Sequence, residues 1–115
     1  MAQAVNITLN EFNDETIDLA ITNNSVAMNL NSPISYGLQV LLKTAAGVSD
    51  TDPSTLVLST ANGAITFISQ STGTAQLVIP HADLQNTNFG FWRCDLTSAG
   101  TQITAMYGIV TMRAL

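Results

Sequence analysis

The sequence predicts an all-β fold, either a sandwich or a barrel of about seven or eight strands. Apolar residues alternate with polar ones at period two, most clearly from Ile34 to Leu42. Because successive side chains of a strand point to opposite faces, this alternation is typical of strands with one buried face. Groups of Asn, Asp, Ser, Pro and Gly separate the alternating stretches about every 8–12 residues, which favours short strands joined by turns.

Each predicted strand has its own apolar series. The first six are Val5, Ile7 and Leu9 in 3–9; Ile17, Leu19 and Ile21 in 15–22; Ile34, Tyr36, Leu38, Val40 and Leu42 in 34–43; Leu56 and Leu58 in 55–59; Ile65 and Phe67 in 64–69; and Ala75, Leu77 and Ile79 in 74–79. Two more strands are predicted at 89–97 and 102–112. Asn62-Gly63 is the strongest hairpin signal, and 80–85 predicts a single helical turn too short to pack as a helix.

Length and composition limit the possible classes of protein. A chain of 115 residues with no linker or repeat predicts one domain over 1–115. The net charge is −5, and the basic residues are Lys43, Arg93 and Arg113. So few bases argue against a nucleic-acid partner and against electrostatic binding to an anionic membrane. A single cysteine, Cys94, excludes a disulfide framework.

Charged residues make up 10% of the chain, whereas ordinary soluble domains have about 25%. Two explanations remain open. Asn, Thr and Ser cover a monomer surface, or part of the surface is buried in an assembly. The start of the chain has neither a basic segment nor an apolar core of a signal peptide, so we expect a protein made and assembled in a cytoplasm.

The residues that could carry chemistry are few, and we expect no catalytic residue, cofactor or metal. His81 is the single histidine and follows Pro80 at a predicted surface turn. Cys94 lies inside a predicted strand, where a small buried apolar role fits better than a nucleophilic one. Zinc needs more His and Cys ligands than the chain has. Calcium has weak candidates in 13–15 and 50–52, whose side chains fit turn formation better.

Asp95 is the most informative acid because Asp is unfavourable inside a strand. It shares a predicted face with Arg93, two residues earlier, and Arg113 follows on the next strand. We expect Asp95 to form a structural or interface ion pair with one of these two bases.

The last two strands carry large apolar residues on both faces. Phe89, Phe91 and Trp92 have both parities in one strand, and the next strand repeats the conflict with Met106, Tyr107, Ile109, Val110 and Met112. A sandwich strand buries one face only, so the other needs a cover. We expect a neighbouring subunit to be that cover, with Phe89, Phe91, Trp92, Tyr107 and Ile109 as interface candidates. The alternative is a bulge at Gly90 or a local loop.

The second half of the chain resembles a known family. The segments are Gly63-Ala-Ile-Thr-Phe, Gly73-Thr-Ala-Gln-Leu-Val-Ile-Pro80, Gly90-Phe-Trp-Arg-Cys-Asp-Leu96 and Met106-Tyr-Gly-Ile-Val-Thr-Met112. They are similar to the small immunoglobulin-like β-sandwich domains of tailed-phage virions, such as the N-terminal domain of baseplate upper proteins. The chain departs from that pattern at Cys94, where those domains usually carry an aromatic residue.

This resemblance implies an immunoglobulin-like sandwich and a non-enzymatic structural role in a bacteriophage virion, in the tail, the baseplate or the particle surface. Its partners would be other virion proteins and copies of itself. A capsid decoration protein is the alternative within this class. A carbohydrate- or cell-surface-binding module is the alternative of another class, with Trp92, Tyr36 and Tyr107 as stacking candidates.

Overall fold

The computed structural model describes residues 2–85 and 87–114, and they form an all-β protein, as the sequence predicts. Its strands are β1 (Gln3–Ala4), β2 (Ile7–Asn10), β3 (Glu15–Ala20), β4 (Thr22–Asn23), β5 (Val26–Ala27), β6 (Gly37–Lys43), β7 (Leu56–Ser59), β8 (Ile65–Ser69), β9 (Thr74–Ile79), β10 (Phe91–Ser98) and β11 (Thr101–Arg113). Helical structure in the described chain consists of a 3-10 turn at Gln70–Thr72 and one turn of α-helix, α1, at His81–Leu84.

The strand count differs from the prediction for local reasons. The predicted strand 3–9 is divided into β1 and β2, and 15–22 into β3 and β4. The short strand β5 was not predicted. It pairs with β4 across a tight turn in which Asn24 and Ser25 have φ values of 53° and 66°. Such left-handed residues are typical of two-residue hairpin turns, which here override the lack of a strand-like pattern.

Two sheets enclose the core. The larger sheet has the order β1-β11-β10-β6-β7, with β2 also paired to β11, and the smaller has the order β3-β9-β8. Inward side chains of both sheets form one hydrophobic cluster that includes Trp92, Leu77 and Leu42. The packed core therefore joins the sheets face to face, as in other two-layer β proteins.

The Asn62-Gly63 hairpin prediction is wrong. β7 pairs with β6 in the larger sheet, whereas β8 pairs with β9 in the smaller one, so this turn carries the chain between sheets. The Asn62 side chain instead protects the free edge of β7. Its Oδ1 accepts the Ser59 N–H at 3.0 Å, and its Nδ2 donates to the Val57 carbonyl at 3.1 Å. Edge strands often carry such protection against unwanted pairing.

β1 and β2 form one run parallel to β11, interrupted at Val5 and Asn6. Ala4 pairs with Tyr107 and Ile7 with Val110, so the register is the same on both sides of the break. At the break, the Asn6 Oδ1 accepts the Ile109 N–H at 3.0 Å. The side chain thus replaces a backbone acceptor and keeps the pairing continuous.

The same break brings the chain very close to Gly108. A Cβ at this position would lie 1.8 Å from the Val5 carbonyl oxygen, which accepts the Trp92 indole N–H at 2.7 Å. Only glycine leaves room for this approach. Gly108 is therefore required where the break between β1 and β2 lies against β11.

Candidate interaction face

The outer face of the larger sheet carries an exposed apolar strip, which we define as Phe91, Tyr107 and Ile109. Phe91 is directly opposite Ile109 in the β10–β11 pair. Tyr107 and Ile109 are 41% and 61% exposed, and Phe91 is half-buried. Their neighbours along β11, Met106 and Val110, point into the core. The alternation in β11 therefore resolves the two-faced pattern seen in the sequence.

Phe89 and Trp92 do not lie on this face. Phe89 is 3% exposed and Trp92 is 1% exposed, and both belong to the core cluster. Phe89 and Phe91 have the same parity but differ in burial, because β10 begins only at Phe91 and the strand alternation does not extend to Phe89. The interface candidates that remain accessible are Phe91, Tyr107 and Ile109.

The neighbouring half of the same face is covered by the chain itself. Leu41 and Lys43 alternate with the inward residues of β6 and so point outward, yet they are 0% and 3% exposed. Leu41 is fully buried but is not a member of the core cluster. The segment 44–55, which joins β6 to β7, is bound above these residues through Asp50.

The Asp50 carboxylate joins two bases of the sheet to this segment. The Lys43 Nζ donates to Asp50 Oδ1 at 2.5 Å and to the Val48 carbonyl at 2.8 Å. The Arg93 Nη2 donates to Asp50 Oδ2 at 2.7 Å. Arg93 is the cross-strand partner of Leu41, so both ion pairs flank that leucine.

Asp95, two residues after Arg93 in β10, is the second acid of this network. It is fully buried, and its carboxylate accepts bonds from the Arg93 Nε at 3.0 Å, the Gln102 Nε2 at 2.6 Å and the Thr104 Oγ1 at 2.9 Å. The expected ion pair is confirmed, and its base is Arg93; within residues 2–85 and 87–114 Arg113 forms no ion pair with Asp95. Full hydrogen bonding is what makes a buried carboxylate tolerable.

The network shifts the pKa values of Asp50 and Arg93. Hydrogen bonds from Arg93 and then Lys43 hold the pKa of the Asp50 carboxyl below its ordinary value of 3.8. Burial by itself lowers the pKa of the Arg93 guanidinium, but the bond to Asp50 and the charge of Asp95 outweigh it, so the pKa is raised. With two bases and two acids, the cluster is neutral.

The remaining candidates from the sequence are occupied in structural bonds. Asp14 Oδ1 accepts both the backbone N–H of His81 at 2.8 Å and a contact from its Nδ1 at 2.7 Å. These bonds lower the pKa of the Asp14 carboxyl, the backbone bond most. Asp52 Oδ1 accepts from the Ser54 N–H and hydroxyl. Burial, with a smaller contribution from Asp95, raises the pKa of the Cys94 thiol to about 12, which keeps it a thiol.

The stacking candidates for a carbohydrate are not brought together. Trp92 is in the core with its N–H bonded, and Tyr36 packs partly against the core. Tyr107 alone of the three is exposed.

Comparison with known proteins adds no family. No protein-family model and no curated protein matches this chain. No helix within 2–85 and 87–114 is both long and apolar enough to cross a membrane. Function therefore has to be argued from the interaction face itself.

Sequence reasoning missed how Lys43 and Asp50 contribute to this face. One signal was present: Leu41 interrupts the alternation of 34–43 as an apolar residue on the outward side. An outward leucine next to an outward lysine indicates a covered position, and the nearby acids of 50–52 were the available partners.

Proposed function

We propose that this protein is a non-enzymatic structural subunit of a bacteriophage particle that acts through protein–protein contacts. The observation that carries the proposal is the apolar strip, exposed on a sheet face whose other half is covered. Contiguous apolar surface on a rigid sheet is typical of interaction sites. We take copies of the same chain as the contacts of this strip.

The strip has the chemistry of a small hydrophobic interface. Full burial of a side chain such as Ile109 or Phe91 is worth about 1.5–3 kcal/mol. Aromatic anchors dominate the binding energy of many interfaces, and Phe91 and Tyr107 are such residues. Placement on paired strands holds all three side chains in fixed positions, so little entropy is lost on binding.

Charge also favours contact at this face. The network neutralises Asp50 and Asp95 with two of the three Lys and Arg residues of the chain. Exposed acids such as Asp18 and Asp83 lie on other elements, β3 and α1. Two copies can thus bring their strips together without bringing unpaired carboxylates face to face, despite the net charge of −5.

The immunoglobulin-like and virion parts of the proposal have separate support. The strand order is compatible with immunoglobulin topology, because β11-β10-β6 and β3-β9-β8 follow the order of its two sheets. The virion assignment is supported by the sequence resemblance of the second half of the chain. We place the protein in the particle, with other virion proteins as further partners.

Matched substitutions test the role of the strip. Ile109→Asp is the test and Ile68→Asp is the control, because Ile68 is 65% exposed and lies on the smaller sheet. Size-exclusion chromatography with light scattering at low micromolar concentration should show a discrete oligomer for the unchanged chain and for Ile68→Asp. Ile109→Asp should be a monomer that keeps the far-UV circular dichroism spectrum of the unchanged chain and unfolds cooperatively, with a melting temperature lowered only by the loss of association. A monomeric unchanged chain, or an oligomer that survives Ile109→Asp, contradicts self-association through the strip.

A further inference from the structure

The segment 44–55 covers the sheet without being buried in it. Each of its residues is exposed or half-buried, whereas Leu41 and Lys43 beneath it are almost completely buried. The segment buries no side chain of its own, so the hydrophobic free energy that keeps it closed comes mainly from covering Leu41. Polar bonds supply the rest of its attachment.

Two of the three polar bonds described between the segment and the sheet converge on one residue, Asp50. Asp50 accepts from Lys43 and Arg93, and Lys43 also donates to the Val48 carbonyl. Asp52, the other acid of the segment, bonds only within the segment, to Ser54. Asp50 is thus the carboxylate that ties the segment to the sheet.

The segment is also internally bonded, so it can move as a unit. The Asp52 N–H donates to the Ser49 carbonyl at 3.1 Å, and the Thr55 N–H donates to the Asp52 carbonyl at 2.9 Å. The Thr55 hydroxyl adds a bond to the Ser49 carbonyl at 2.8 Å. None of these bonds involves the sheet, so all of them survive when the ties of Asp50 are broken.

We propose that 44–55 is a strap, latched by Asp50, that opens as a unit while the sandwich stays folded. Opening uncovers Leu41, which lies diagonally from Phe91 of the strip, because Phe91 pairs with Lys43, two residues further along β6. The strap thereby sets whether the apolar surface ends at the strip or continues across β10 to β6. The opening is independent of the proposed function, whereas the use of Leu41 as an extension of the interface rests on it.

Thiol labelling tests the opening directly. Leu41→Cys places a thiol under the strap, and native Cys94 reports opening of the core in the same molecule. Alkylation is followed by mass spectrometry of peptides at neutral pH. We expect the thiol at position 41 to react faster than Cys94. Asp50→Ala should raise the rate at position 41 about tenfold, as loss of two partly exposed ion pairs allows, and leave Cys94 unchanged.

Asp52→Ala is the matched control, because it removes the same charge from the same segment without touching Lys43 or Arg93. It should leave labelling at position 41 unchanged. Equal rates at positions 41 and 94 would overturn the proposal, because they indicate opening by global unfolding. Absence of an effect of Asp50→Ala, or an equal effect of Asp52→Ala, would also overturn it.

Trypsin gives a second measurement on the chain with its native Leu41. Lys43 is the last residue of β6 and adjoins the strap, whereas Arg93 lies in the middle of β10. Cleavage after Lys43 needs the strap and the end of β6 to open, and cleavage after Arg93 needs the sheet itself to open. In Asp50→Ala, cleavage after Lys43 should precede cleavage after Arg93. Simultaneous cleavage at both sites would contradict a local opening. Neither measurement depends on self-association, so failure of the strap and failure of the proposed function are distinguishable.

Discussion

The two halves of one sheet face differ in how they treat outward apolar side chains. The strip leaves Ile109 and Tyr107 exposed, whereas the strapped half hides Leu41 and Lys43 under 44–55. Both halves have the same strand alternation, so pattern does not distinguish them. The two halves differ in the two ion pairs that Asp50 forms, with Lys43 and with Arg93. The covering of a sheet face is thus decided by loops and charges and not by the strands.

The largest effect should come from the backbone beneath the strip. Gly108→Ala places a Cβ 1.8 Å from the Val5 carbonyl oxygen and forces β1–β2 away from β11. We expect it to cost about 3 kcal/mol or more in the free energy of unfolding, as severe backbone clashes do. Urea denaturation measures this cost.

Gly47→Ala is the control in the strapped half, because a Cβ there meets nothing within 4 Å. It should change stability by less than about 1 kcal/mol. Equal effects of the two substitutions would show that close approach at Gly108 is not what requires glycine.

Removing the charge of Asp95 from the network should have the second largest effect on the free energy of unfolding. Asp95→Asn removes the charge that Arg93 binds and converts one acceptor oxygen into a donor, which then faces either the Gln102 amide, at the position of Oδ2, or the Thr104 hydroxyl, at the position of Oδ1. We expect a loss of about 2 kcal/mol, less than for a fully isolated buried pair because Arg93 keeps Asp50.

Thermal or urea unfolding measures this loss, with Asp18→Asn as the control on an exposed strand position. The control should stay within about 0.5 kcal/mol of the unchanged chain. If both variants unfold alike, the buried carboxylate has no special part in holding the face together.

Acid should weaken the strapped half selectively, with the smallest effect. The folded pKa of Asp50 is depressed, so its contribution to stability is present above the ordinary value of 3.8 and is lost as pH falls through the folded value. Arg93, whose pKa is raised, keeps its charge in this range, and Asp95 is linked to Asp50 through Arg93.

The difference in unfolding free energy between the unchanged chain and Asp50→Ala should therefore shrink as the pH falls from roughly 5 to 3. Urea titrations at several pH values measure it. A difference that stays constant down to the lowest pH would mean that ionised Asp50 does not stabilise the fold.

The sequence predicted the strands well because their signal is local. The apolar series of 74–79 and 102–112 appear almost unchanged as β9 and β11. The hairpin prediction at Asn62-Gly63 was wrong because turn residues indicate that the chain reverses direction, but they do not indicate which sheet the next strand joins. The placement of Phe89 on the outer face was wrong because β10 begins only at Phe91, so strand parity does not apply to residue 89.

The exposed apolar strip and the ion pairs beside it were predicted only in part. Phe91, Tyr107 and Ile109 could be found because strand parity is a property of neighbouring residues. The tie between Asp50 and Arg93 joins residues 43 apart, and sequence alone offered no way to choose it over other pairs of opposite charge.

The sequence by itself determined the all-β class, the positions of most strands and the low, acidic charge of this protein. These follow from alternation, turn residues and composition, which act over a few residues at a time. The tertiary structure alone decided which outward side chains are covered, because covering depends on contacts between distant segments. The approach of Val5 to Gly108 and the bonding of Asp50 over Leu41 are both contacts of that kind.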